Sequence, residues 1–142
     1  MQEYIDFFSN NLVLVLAWIA TAGFLAFSIL QGKLNKVSSV SAQEAITLIN
    51  KQNALVVDIR SQDEYKKGHI VNSKNITQSQ ITDGKFSEIE NHKDMPIILV
   101  CETGHRSSGA GGKLSKAGFT QVYNLLAGMS GWQSENFPTT KK

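Results

Sequence analysis

Apolar and polar positions change their period along this chain, and the changes mark its elements. Leu12 to Leu30 reads LVLVLAWIATAGFLAFSIL, interrupted only by the hydroxyls of Thr21 and Ser28. No charge falls between Phe7 and Gly32. A helix apolar on every side has no face for water, unlike the two-sided helix of a soluble core. At about 1.5 Å per residue the run spans roughly 28 Å, close to the hydrocarbon thickness of a bilayer. The pattern predicts one transmembrane helix over about residues 10–31 and a polar connector from Gly32 to Ser39.

Beyond the connector the periods are those of an α/β domain. Ser41-Ala42-Gln43-Glu44 has capping-box spacing and opens a helix through about Asn50. Ala54 to Ile59 (ALVVDI) and Ile97 to Val100 (IILV) are short, β-branched apolar runs, as expected of strands buried on both faces. Ser61 to Lys67 reads as a short helix ended by Gly68, with weaker helical patches at Gln78 to Ile81 and Lys85 to Asn91. Ser107 to Ala117 reads as a helix closed by Gly118, Gln121 to Leu125 as a third strand, and Ser130 to Asn136 as a last helix. Strands alternating with helices predict a mainly parallel sheet. The expected division is residues 1–36 for anchor and connector, and 37–142 for one globular domain large enough for a single core.

Charge bears on how the first helix is used. A cleavable signal peptide carries positive charge ahead of its apolar run. Here Glu3 and Asp6 precede the run while Lys33 and Lys36 follow it, so a retained anchor is expected despite the small residues Ala20-Thr21-Ala22. By the positive-inside rule the same asymmetry is expected to put the C-terminal domain in the cytoplasm, with the anchor in the inner membrane if the cell is bacterial. A net charge of +2, with no basic block interleaved with aromatics, gives no expectation of nucleic acid as a partner. One cysteine excludes an intramolecular disulfide, and with three histidines it forms no spacing of the usual zinc kind, so no metal is expected.

The chemistry concentrates in Val100-Cys101-Glu102-Thr103-Gly104-His105-Arg106-Ser107-Ser108. A cysteine stands at the carboxyl end of a buried strand, where open α/β sheets bind ligands. A short glycine-containing loop follows, and a helix is expected to begin right after Arg106. The helix N-terminus, the inward-pointing amides of a tight loop and the Arg106 guanidinium all favour a thiolate. Cys101 is therefore the expected nucleophile, and this role requires its sulfur to be ionised and open to solvent at neutral pH.

These segments closely resemble the rhodanese-like family. Cys101 to Ser107 is similar to that family's active-site loop. Val57-Asp58-Ile59-Arg60, Glu64-Tyr65, Gly68-His69-Ile70 and Asn75-Ile76 are similar to its first signature. Ala117-Gly118-Phe119, Val122 to Leu125 and Gly128 to Trp132 look like its closing strand and final turn. The resemblance implies a rhodanese-like parallel five-stranded sheet flanked by helices, and a sulfurtransferase that carries sulfur as a persulfide on Cys101. It also implies a substrate-binding loop of Glu102, Thr103, Gly104, His105, Arg106 and Ser107. The expected partners are a small sulfur donor, thiosulfate or a protein persulfide, and a thiol or cyanide-like acceptor. No cofactor is needed. Asp58 and Arg60 are expected as an ion pair or brace beneath the loop, and His69 as a structural histidine holding its turn.

Two other functions fit parts of the pattern. A non-catalytic docking module would use the fold to bind a partner at the membrane. A cysteine-dependent phosphatase would need a cradle sized for phosphate, with five residues between cysteine and arginine, and here there are four. Two departures from the family pattern matter. Glu102 places a negative charge beside the thiol, an expected handicap for doubly charged donors such as thiosulfate and an advantage for protein persulfides. Gly109, Gly111 and Gly112 stand where alanines are usual, each costing a helix interior up to about 1 kcal/mol, so the helix after Cys101 is expected to be mobile or closely packed.

Overall fold

The computed structural model describes residues 1–34 and 37–141. The chain divides into two units, Met1–Leu34 and Asn35–Lys142. The first holds helices α1 (Gln2–Asn10) and α2 (Leu12–Leu34). Within α2, Leu12–Leu30 has a mean hydropathy of 2.4 and none of it is buried, so it is long and apolar enough to cross a membrane. The helix does not stop at Gly32. A lone glycine costs a helix about 1 kcal/mol without breaking it, and no proline follows. Residues 35 and 36 of the expected connector lie outside the described residues.

The second unit opens with strand β1 (Ser38–Val40), where the sequence suggested only the end of a connector. Three residues are too few to show a period, and the strand exists because it pairs in parallel with a distant partner. Then come α3 (Ala42–Gln52), β2 (Leu55–Asp58), α4 (Gln62–Lys67), β3 (His69–Ile70), β4 (Lys74–Asn75) and α5 (Gln78–Thr82). A 3₁₀ turn at Ser87–His92 precedes β5 (Ile97–Val100), α6 (His105–Lys116), β6 (Val122–Leu125), α7 (Gly128–Ser134) and β7 (Thr139–Thr140). Three helices start on the same device. Ser41 with Glu44, Ser61 with Glu64 and Thr77 with Gln80 each form a complete capping box, satisfying amides that a helix start otherwise leaves without partners.

The main sheet runs β1-β6-β5-β2-β4, with every pairing parallel. β5 is central and buried at all four residues. Alternate residues face opposite sides. Ile97 and Leu99 enter one core with Val57, Ile59, Leu114 and Phe119, while Ile98 and Val100 enter another with Val56, Leu125, Met129 and Trp132. β3 and β7 form a separate antiparallel pair. Because the main strands are parallel, their carboxyl ends share one edge, and the loops after β2, β5 and β6 meet there.

Candidate active site

Cys101 follows the last residue of β5, and the chain must reverse direction at once to enter α6. Gly104 makes the reversal in a left-handed conformation, with φ of 93°. The amide of Gly104 thereby points inward and donates to Cys101 Sγ at 3.0 Å. The loop's carbonyls point the other way, where the start of α7 receives them. Met129 N donates to Cys101 O at 2.8 Å and Ser130 N to Glu102 O at 3.1 Å. This seam explains Gly128, whose φ is +53°. A Cβ there would drive into the Cys101 carbonyl oxygen and stand 2.7 Å from the Glu102 carbonyl carbon.

Ser107, in the first turn of α6, completes the surroundings of the sulfur. Its Oγ lies 3.3 Å from Sγ. Burial pushes the Cys101 thiol up, but the hydroxyl and amide of Ser107 and the amides of Gly104 and Thr103 outweigh it, and the thiol sits below its ordinary value. Sulfur held this way is ionised in larger part at a given pH than an ordinary thiol.

Two expectations about this sulfur are corrected. Cys101 is 0% exposed rather than open to solvent, because it ends a central strand and lies under the loop and the start of α7. Arg106 does not share in holding the anion. α6 begins at His105 instead of after Arg106, and the Arg106 side chain reaches across to α4, with Nη2 3.6 Å from Glu64 Oε1.

Beneath the loop, Arg60 and Asp58 form a buried ion pair. Arg60 Nε and Nη2 donate to the Asp58 carboxylate at 2.7–3.1 Å. Arg60 Nη2 also donates to Gly68 O at 2.7 Å, and Nη1 to Glu102 Oε2 at 3.1 Å. Burial works against the Arg60 charge, yet Asp58 and Glu102 more than compensate and push its pKa up. Glu102 is thus turned away from the sulfur, its second oxygen accepting from Ser130 Oγ at 3.1 Å. His69 stacks on Tyr65 with ring centroids 3.7 Å apart, and its Nδ1 lies 2.8 Å from Tyr65 O. The side chains of Thr103, His105 and Arg106 are exposed at the outer face of the loop.

Of the loop residues singled out in the sequence, Thr103, Gly104 and Ser107 meet at the sulfur, whereas Glu102 and Arg106 are drawn into ion pairs. Three carboxylates, Asp58, Glu64 and Glu102, stand against the chain's two arginines. Sequence reasoning missed Asn124. Buried in β6, it accepts a short hydrogen bond from Ser107 Oγ at its Oδ1, while its Nδ2 donates to Gly104 O at 3.1 Å. The one signal in the sequence was an amide inside an otherwise apolar strand, since a buried polar group must find partners.

Known proteins share this fold. The Rhodanese-like domain family model matches residues 41–135. The uncharacterised protein YibN of Escherichia coli strain K12 is 38% identical over 141 residues, 99% of this chain and 99% of its own length. The thiosulfate sulfurtransferase GlpE of Pseudoalteromonas translucida is 32% identical over 95 residues, 67% of this chain and 88% of GlpE. The crystal structure of a rhodanese-related protein from Thermoplasma volcanium superposes with a TM-score of 0.65 at 28% identity, covering 74% of this chain and 99% of that one.

Proposed function

The chain belongs to the rhodanese-like family, and from that premise we propose that it is a sulfurtransferase with Cys101 as the sulfur carrier. The Cys101 thiolate attacks the sulfane sulfur of a donor, forming a new S–S bond. The donor's own S–S bond breaks, and its electron pair leaves on sulfite if the donor is thiosulfate, or on a thiolate if it is a persulfide. A nucleophilic acceptor, cyanide or a thiol, then takes the terminal sulfur and returns Cys101 as the thiolate. Electrons balance without a cofactor. The Gly104 amide, which donates to Sγ at 3.0 Å, and the Ser107 hydroxyl, 3.3 Å from Sγ and able to turn its proton there from Asn124, stabilise both anionic states. One observation carries this reading: Cys101 Sγ stands at the carboxyl end of β5, where the Gly104 amide donates to it at 3.0 Å and Ser107 Oγ lies 3.3 Å away.

The test uses the full chain in non-ionic detergent with a sulfane-sulfur donor and cyanide. Thiocyanate is expected from the native protein and not from Cys101→Ser. Equal production by the two would remove the proposal.

A second reading, a docking module without turnover, is favoured by the complete burial of Cys101. Intact mass separates the two, because an active carrier gains one sulfur atom after donor treatment and a docking module gains none.

The proposal extends to location. Leu12–Leu30 serves as a single membrane anchor, with the rhodanese-like domain on the cytoplasmic side marked by Lys33 and Lys36. A membrane fraction that releases the chain to detergent but not to alkaline carbonate is the expected result.

A further inference from the structure

The charges at the loop are not interchangeable. Arg60 is fixed by Asp58, Gly68 O and Glu102, and its side chain is only 5% exposed. Arg106 has 44% of its side chain exposed, on the first turn of the helix that follows Cys101. Of the two arginines, Arg106 is therefore the one able to swing toward an incoming anion. What restrains it is Glu64. The Glu64 Oε2 is pinned by Ser61 N at 2.9 Å and Ser61 Oγ at 2.8 Å, leaving Oε1 to face Arg106. Glu102, the acid adjacent to Cys101 in sequence, has both oxygens engaged, one by Arg60 and the other by Ser130.

We propose that Glu64 sets the charge selectivity of the sulfur donor. Paired with Arg106 at the outer face of the loop, it withholds that guanidinium from dianions and favours sulfane sulfur carried at lower charge, such as a persulfide on a thiol or a peptide. This rests on the sulfurtransferase reading of Cys101. With three carboxylates facing two guanidiniums, a dianion meets net repulsion at the loop, and each charge removed from the donor relieves part of it. Neutralising Glu64 frees Arg106 and leaves two carboxylates against two guanidiniums, which removes the net repulsion.

Two donors that share a reacting bond but differ by one charge isolate the effect. Thiosulfate, a dianion, gives the Cys101 persulfide and sulfite. The methanethiosulfonate anion, CH3SO2S−, gives the same persulfide and methanesulfinate. Cyanide takes the sulfur as thiocyanate in both cases. Glu64→Gln suits the experiment because glutamine also serves at this position of a capping box, so α4 keeps its start.

With the full chain in non-ionic detergent, Glu64→Gln is expected to raise the ratio of kcat/KM for thiosulfate over methanethiosulfonate by about 3- to 10-fold, the scale of one partly screened charge acting on a dianion. The gain should shrink as salt is added and vanish in the double variant Glu64→Gln, Arg106→Gln. A structural disturbance of α4 would move both donors together and leave the ratio where it was. A ratio unchanged within about 1.5-fold, or a gain that survives loss of Arg106, overturns the assignment to Glu64 while leaving Cys101 chemistry standing. Absence of Cys101-dependent thiocyanate from both donors in every variant overturns the sulfurtransferase reading, and this inference with it.

Discussion

At Cys101 two opposed forces act on one atom. The sulfur is fully buried, which disfavours its anion, yet the surrounding hydroxyl of Ser107 and backbone amides of Ser107, Gly104 and Thr103 favour the anion more. Removing one donor should tip the balance. Ser107→Ala deletes the hydroxyl 3.3 Å from Sγ, so the midpoint of the pH dependence of iodoacetamide labelling should rise toward the ordinary thiol value of about 8.5. Asn124→Leu should shift it the other way, downward, because Asn124 Oδ1 accepts the one Ser107 hydroxyl proton and its loss frees that proton to turn to Sγ. A midpoint unmoved by Ser107→Ala would show that the hydroxyl does not stabilise the thiolate.

Helix α6 shows how glycine can mean different things within one turn. Gly111 is buried, and a Cβ there would stand 2.8 Å from Val37 Cγ2 and 2.9 Å from Cγ1. Valine branches at Cβ and cannot swing aside as a long chain would. Gly111→Ala is therefore expected to destabilise the fold by about 1–3 kcal/mol, the usual cost of overpacking. At Gly109 and Gly112 an added Cβ would meet nothing within 4 Å. Alanine at either should stabilise by roughly 0.5–1 kcal/mol. Urea midpoints of the three variants check both signs at once. Of the two outcomes expected for this helix, close packing holds at Gly111 alone.

Across the whole molecule, Arg60 is the tie that joins separate loops. It leaves β2 and binds Asp58, the carbonyl that ends α4, and the loop after β5 through Glu102. Arg60→Met should cost about 3–5 kcal/mol in urea unfolding, because Asp58 would stay buried with its counter-charge gone. A loss under about 1 kcal/mol would mean that water replaces the guanidinium.

The division between what sequence and structure each determine follows contact range. Short-range rules sufficed for the apolar span of α2, the capping box at Ser41, the helix opening at Ser61, the buried run Ile97–Val100 and a cysteine at its carboxyl end, since all depend on residues a few places apart. The spacing of Cys101, Gly104 and Arg106-Ser107 carried the family resemblance for the same reason. Only the tertiary structure decided that β1 exists, that Asn124 supports Ser107 from 17 residues away, and that Glu102 turns to Arg60, 42 residues earlier. It also decided that Cys101 is buried and that Arg106 is held by Glu64. Pairing of charges and shielding of an atom are properties of neighbours in space, and no local period along the chain encodes who those neighbours are.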